Sequence, residues 1–172
     1  MKINKVVILS ILLIASLAVN YFLYKENSSF KAGHGAEYQL AVRSAIHELD
    51  EDSFNIIVEE LKTGNQRPYE RWKKDIGFIN SNLRKSGNIH FNLLGDQLNH
   101  ISYQVGELTD GNNDLEKEEE LIREQVLFFY GVLSEVEEDL EEDLMRWYRE
   151  ISNDNSNTSK YVEEQLKTVI NY

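Results

Sequence analysis

Residues 6–24 read VVILSILLIASLAVNYFLY, a run with no charged residue and no proline. At about 1.5 Å rise per residue it makes a helix about 28 Å long, close to the roughly 30 Å hydrocarbon core of a bilayer. Tyr21, Phe22 and Tyr24 fall where an interfacial aromatic belt sits. Lys2, Lys5 and the free amine lie before the run, whereas Lys25 after it is offset by Glu26. Lys and Arg are retained on the cytoplasmic side, which predicts a cytoplasmic N-terminus (1–5), a signal-anchor span (6–24) and an extracytoplasmic remainder. A cleaved secretory signal is the competing reading, with Ser16-Leu17-Ala18 as its small-x-small site. Against it, Val19 and Tyr21 to Tyr24 keep the segment apolar well past that cut. With no cysteine in the chain, a lipoprotein anchor is excluded.

The chain has 172 residues, 41% hydrophobic and 28% charged, with one proline. Once the span and a linker (25–35, ending in Gly33-His34-Gly35) are set aside, residues 36–172 suffice for one modest folded domain. An exported domain of this size without a single cysteine suits a bacterial envelope better than a disulfide-dependent secreted fold. Lys2, Lys5 and Lys25 all precede the first acid, Glu26, and without them 15 basic residues face 30 acidic ones. Such a surface repels nucleic acid and anionic lipid, so nucleic acid is rejected as a partner.

Apolar residues then recur at helical spacing. Tyr38, Val42, Ala45/Ile46, Leu49, Ile57/Val58 and Leu61 predict a helix over about 36–63. Gly64 is placed to cap it in a left-handed conformation, and Pro68 to open the next helix. Trp72, Ile76, Ile79, Leu83, His90, Leu94, Leu98, Ile101, Val105 and Leu108 continue the pattern across Ser86-Gly87-Asn88. That reads as one kinked helix or two in line, with Gly87 as the candidate hinge. Thr109 to Asn113 is a turn, and Asn113 with Glu116 reads as a capping box. Leu115, Ile122, Val126, Phe129, Leu133, Val136, Leu140, Leu144, Trp147 and Ile151 predict a third helix over about 114–151, and a short fourth follows over about 158–171. No period-two pattern competes. The fold class is therefore all-α: a transmembrane helix, then an antiparallel helical bundle of long, coiled-coil-like helices. Folding the second and third helices about the 109–113 turn sets Arg84 and Lys85 opposite Glu137 and Glu138, Asp75 near Arg146 and Arg149, and Trp147 near Ile76. The basic stretch from Arg67 to Lys85 would then serve as an internal neutraliser.

No arrangement carries a recognisable chemistry. Asp110, Asn112 and Asp114 open like a calcium loop, but Leu115 stands where that loop needs glycine and Leu121 where it needs a bidentate glutamate. None of the four histidines has a glutamate three positions before it, as a di-iron bundle requires. His90 and His100 lie about 80° apart on a helical wheel. The acidic runs Glu137-Glu138-Asp139 and Glu141-Glu142-Asp143 lack the differentiated environments of an acid/base pair. Nucleophile-elbow, phosphate-loop, zinc-protease and dinucleotide signatures do not occur in the sequence. No catalytic, metal or cofactor-binding residue is assigned, and the chain is not expected to be an enzyme. Phe128, Phe129, Tyr130, Trp147 and Tyr148 cover more than one face of the third helix. Of these, Phe128, Tyr130, Trp147 and Tyr148 are candidate partner contacts, and Gly131 beside them would admit a close helix neighbour.

The stretch Gln104-Val105-Gly106-Glu107-Leu108, a polar turn, and a helix opening Leu115-Glu-Lys-Glu-Glu-Glu-Leu121 resembles the membrane-proximal helical region of YpeB-type spore germination proteins. The resemblance is short and carries over no functional residue. It implies an interaction role beside a cell-wall lytic enzyme and a link to sporulation or germination. The expected function is that of a single-pass membrane protein acting as scaffold, sensor or regulator for another envelope protein, with self-association compatible. The alternatives are a bundle that binds a small ligand or metal, with His90 and His100 near Glu118 to Glu124, and a cell-wall enzyme.

Overall fold

A computed structural model describes residues 5–108 and 115–169. Seven α-helices and no strand occur among the described residues: α1 (Lys5–Glu48), α2 (Glu51–Lys62), α3 (Arg67–Arg84), α4 (Ile89–Glu107), α5 (Leu115–Leu140), α6 (Leu144–Ile151) and α7 (Asn157–Val169). The turn at 109–113, its capping box and the three oxygen ligands at 110, 112 and 114 lie outside the described residues.

The N-terminal half of α1 is long and apolar enough to cross a membrane, and none of that stretch is covered by the rest of the protein. The expected linker at 25–35 is instead helical, and α1 runs unbroken from Lys5 to Glu48. Each glycine in a helix interior costs about 1 kcal/mol relative to alanine, so Gly33 and Gly35 argue locally for a break. Packing against α6 overrides that preference.

From Gly35 onward α1 enters the core, burying Tyr38, Ala41, Val42 and Ala45, with Leu49 buried just past its end. It packs most extensively on α6, then on α3 and α5. The expected helix over 36–63 divides at Asp50, whose carboxylate caps α2 through the Ser53 N–H. Gly64, at φ +85°, closes α2, and Pro68 sits in the first turn of α3, both as expected.

The region across Ser86-Gly87-Asn88 differs from the in-line expectation. Helices α3 and α4 fold back on each other: Tyr69 Oη donates to the Ser102 carbonyl at 3.0 Å, and Arg84 meets Asp96 at 3.1 Å. Gly87, at φ +71°, makes the tight reversal between them. Asn88 fixes that turn. Its side-chain oxygen accepts from the His90 and Phe91 N–H groups, and its Nδ2 donates to Ser159 Oγ of α7 at 2.6 Å.

The expected third helix breaks at 141–143. Asp143 caps α6 by accepting from the Met145 and Arg146 N–H groups. The inferred pairing of α3 with the end of α5 is not observed: Arg84 pairs with Asp96, Asp75 with Arg71, and Arg146 with Asp139. Because α3 and α4 form their own hairpin, α3 lies against α1 and α4. The core is continuous through all seven helices, with Trp72, Trp147, Phe54, Phe91 and Phe129 as its largest fully buried side chains.

Candidate functional site

The junction where the bare, apolar part of α1 becomes a core helix is the most elaborated place in the molecule. It begins at Gly35. A Cβ there would overlap the Leu144 carbonyl oxygen, so only glycine lets α1 and α6 approach this closely. Gly33, two residues earlier, faces open space. Gly131, expected to admit a close neighbour, also faces open space. Just below the contact, the His34 ring lies 6.5 Å from that of Tyr148, and the Lys31 ammonium sits 5.9 Å from the centre of the same Tyr148 ring.

One helical turn above Gly35, α1 grips the α5–α6 corner. Gln39 Nε2 donates to the Glu141 carbonyl at 3.0 Å and to Glu142 Oε2 at 3.2 Å. Arg43 forks between two acids, with Nε to Glu137 at 2.7 Å and Nη2 to Glu142 at 2.6 Å. The Trp147 indole N–H donates to the same Glu141 carbonyl at 2.8 Å. These donors hold Glu141 at φ +52°, a left-handed conformation that is strained for a side chain of this kind. The hydrogen bonds from Arg43 and Gln39 hold the Glu142 carboxyl below its ordinary pKa, and those that Arg43 donates to Glu142 and Glu137 raise its own. Both charges are solvated, so the fork fixes geometry more than it adds stability.

At its far end α1 borders two grooves. One, of about 560 Å³, is floored by Ile56, Ile57, Pro68 and Trp72 and rimmed by Arg67, Arg71, Glu48 and Asp75. The Trp72 indole N–H closes its base by donating to the Glu48 carbonyl at 2.9 Å. Burial, reinforced by Asp75, pushes the Glu48 carboxyl up. The other, of about 340 Å³, lies between α1 and α5 beside Arg43, His47 and Tyr130.

The sequence-derived site residues scatter. Trp147 is fully buried and hydrogen-bonded, which removes it as a partner contact. Phe128, Tyr130 and Tyr148 are half-buried against the core. His90 sits 3.9 Å from Glu163 of α7, and His100 is exposed, so the two do not converge on Glu118 to Glu124. No group of three His, Asp or Glu side chains gathers as a ligand set among the described residues. The residues that sequence reasoning missed are Gly35, Gln39, Arg43 and Glu142. The one available signal was Asp143 standing before Leu144 as an N-cap, which marks the corner without naming its partner.

Comparison with known protein families, with curated proteins and with solved structures finds no match to this chain.

Proposed function

We propose that this protein is a single-pass envelope protein whose helical domain, on the extracytoplasmic side, docks another envelope protein as scaffold or regulator. The observation that carries the reading is the unbroken α1. The helix that is bare and apolar through residues 8–24 is the same one that buries Ala41, Val42 and Ala45 and grips α6 and the α5–α6 corner. A flexible tether would only concentrate a domain near the membrane, whereas a continuous helix also fixes which face it presents. The lysines at positions 2 and 5 support a cytoplasmic N-terminus. Packing of the helices as an antiparallel bundle is supported by Arg43 meeting Glu137 while Arg123, near the start of α5, reaches Asn55 beyond the end of α1. The YpeB-type resemblance makes a cell-wall lytic enzyme the first partner class to probe.

The test is in-membrane crosslinking and capture, comparing the full-length protein with a variant carrying one alanine inserted between Asn27 and Ser28. The insertion turns the domain by about 100° on its anchor while leaving its fold intact. A membrane-proximal partner captured by the wild type and lost on insertion supports the reading. A partner captured equally by both variants overturns the fixed-face mechanism, and capture of none overturns the docking role.

A further inference from the structure

The outward faces of α3 and α5 carry opposite charges in matching rows. On α3, Arg67, Arg71, Lys74, Phe78, Ser81 and Lys85 recur at three- and four-residue spacing, and all are exposed. On α5, Glu120, Glu124, Leu127, Gly131, Glu135 and Glu138 do the same. The first row contains no acid and the second no base. Each spans about 27 Å of helix, and each has an apolar side chain near its middle, Phe78 at 56% exposure and Leu127 at 40%. Little of this charge is used within the chain. Arg71 reaches Asp75 only at 3.9 Å and Glu120 reaches Arg123 only at 3.8 Å, Lys85 donates to Asn82 at 2.8 Å, and the side chains of Arg67, Lys74, Glu124 and Glu138 have no ion-pair or hydrogen-bond partner among the described residues.

Between the rows α1 turns a strip outward. Gly33, Ala36, Leu40 and His47 are exposed on one face, Leu40 at 57%, and the half-buried Arg43, engaged by Glu137 and Glu142, stands between the last two. His47 borders both grooves, the one against α3 and the one against α5. The strip is therefore flanked by the basic helix on one side and the acidic helix on the other. His47 is level with Arg71 and Asp75 of α3 and with Tyr130 and Glu137 of α5, so the two rows overlap along α1.

We infer that this face pairs with the same face of a second copy of this chain. The α1 strips meet at a two-fold axis along the membrane normal, and the basic α3 row of each copy lies on the acidic α5 row of the other. Such a contact is self-complementary, as a two-fold interface must be. A net charge of −12 opposes random association of copies, and the basic α3 row overcomes that repulsion in one orientation only. The inference rests on the membrane anchoring proposed above, which holds two copies at one height and in one orientation.

The absence of native cysteine makes the test clean. Full-length protein carrying Leu40→Cys is oxidised in its own membrane and scored for disulfide-linked dimer, with Glu164→Cys, on the exposed side of α7, as control. The L40C variant forms dimer and the E164C variant does not. In the L40C background, the reversal pair R71E/K74E and the pair E124K/E135K each cut dimer by about fivefold or more through like-charge contact. The two pairs combined restore it to within about twofold. All four positions are exposed, so helix content by circular dichroism stays unchanged. An L40C protein that stays monomeric while resisting alkaline extraction overturns the pairing alone. Release into the soluble fraction overturns the anchoring and the pairing with it. Dimer that survives either reversal, or that the combined variant fails to recover, overturns the charge-matched geometry.

Discussion

The two halves of α1 are both rich in apolar residues, yet they meet different surroundings. In the first half, Leu9, Ile14 and Leu17 stand exposed, and bulky side chains dominate. In the second half, Gly35, Ala41, Val42 and Ala45 face protein beside the larger Tyr38 and Gln39, and these small positions let α6, α3 and α5 come close. Lipid fits itself to any shape, so a span needs only apolar area and length. A protein neighbour has a fixed shape, so the packed half is restricted position by position. One helix therefore carries two kinds of constraint, and substitutions can separate them.

The largest effect is expected from Trp147→Ala, which empties the core beside the corner and removes a hydrogen bond to Glu141. It should cost about 4 kcal/mol of domain stability in urea unfolding while leaving the protein in the membrane fraction. Ile14→Lys should do the reverse, opposing insertion by about 3 kcal/mol and leaving the domain's unfolding midpoint unchanged. Gly35→Leu should destabilise the domain by about 2 kcal/mol through overlap with the Leu144 backbone. Gly33→Ala, in open space one half-turn away, should stabilise the helix by up to about 1 kcal/mol. Equal effects of the two glycine substitutions would erase the boundary between the halves.

The smallest effect concerns Glu48 and depends on pH. Its pKa is raised in the folded protein, first by burial and then by Asp75, with His47 and Arg71 opposing. A carboxyl with a higher folded than unfolded pKa favours the fold below the unfolded value, and loses that contribution as pH rises through the folded value. At neutral pH the ionised Glu48 therefore works against folding. Glu48→Gln should raise the urea midpoint at pH 7 and leave it nearly unchanged near pH 3. A gain that persists at pH 3 would assign the effect to something other than ionisation.

Helix content, the apolar span and the core positions of each helix were readable from spacing alone. What failed were the breaks. Asp50 and Asp143 each start a new helix as N-caps, but no glycine or proline stands beside them, and the apolar rhythm runs on across both. Conversely, Gly33-His34-Gly35 looked like punctuation, because the packing that holds a helix through it comes from Leu144, far along the chain. The turn signal at Ser86-Gly87-Asn88 fits a kink as well as a full reversal, and the reversal gives Arg84 to Asp96 and leaves Arg146 to Asp139. Gln39, Arg43 and Glu142 were invisible as a group because ordinary surface residue types become a site only when a distant corner meets them.

The contact between Gly35 and Leu144 also sets a timetable for synthesis. Residue 35 leaves the ribosome 109 positions before its partner residue 144. At about 5–20 residues per second that is an interval of about 5–20 s. Throughout it the apolar face of the second half of α1 has no α6 to cover it, and the left-handed corner at Glu141 has not yet been made. The apolar first half of α1 is thus made well before the packing that continues it, and the domain is completed only when its last third arrives.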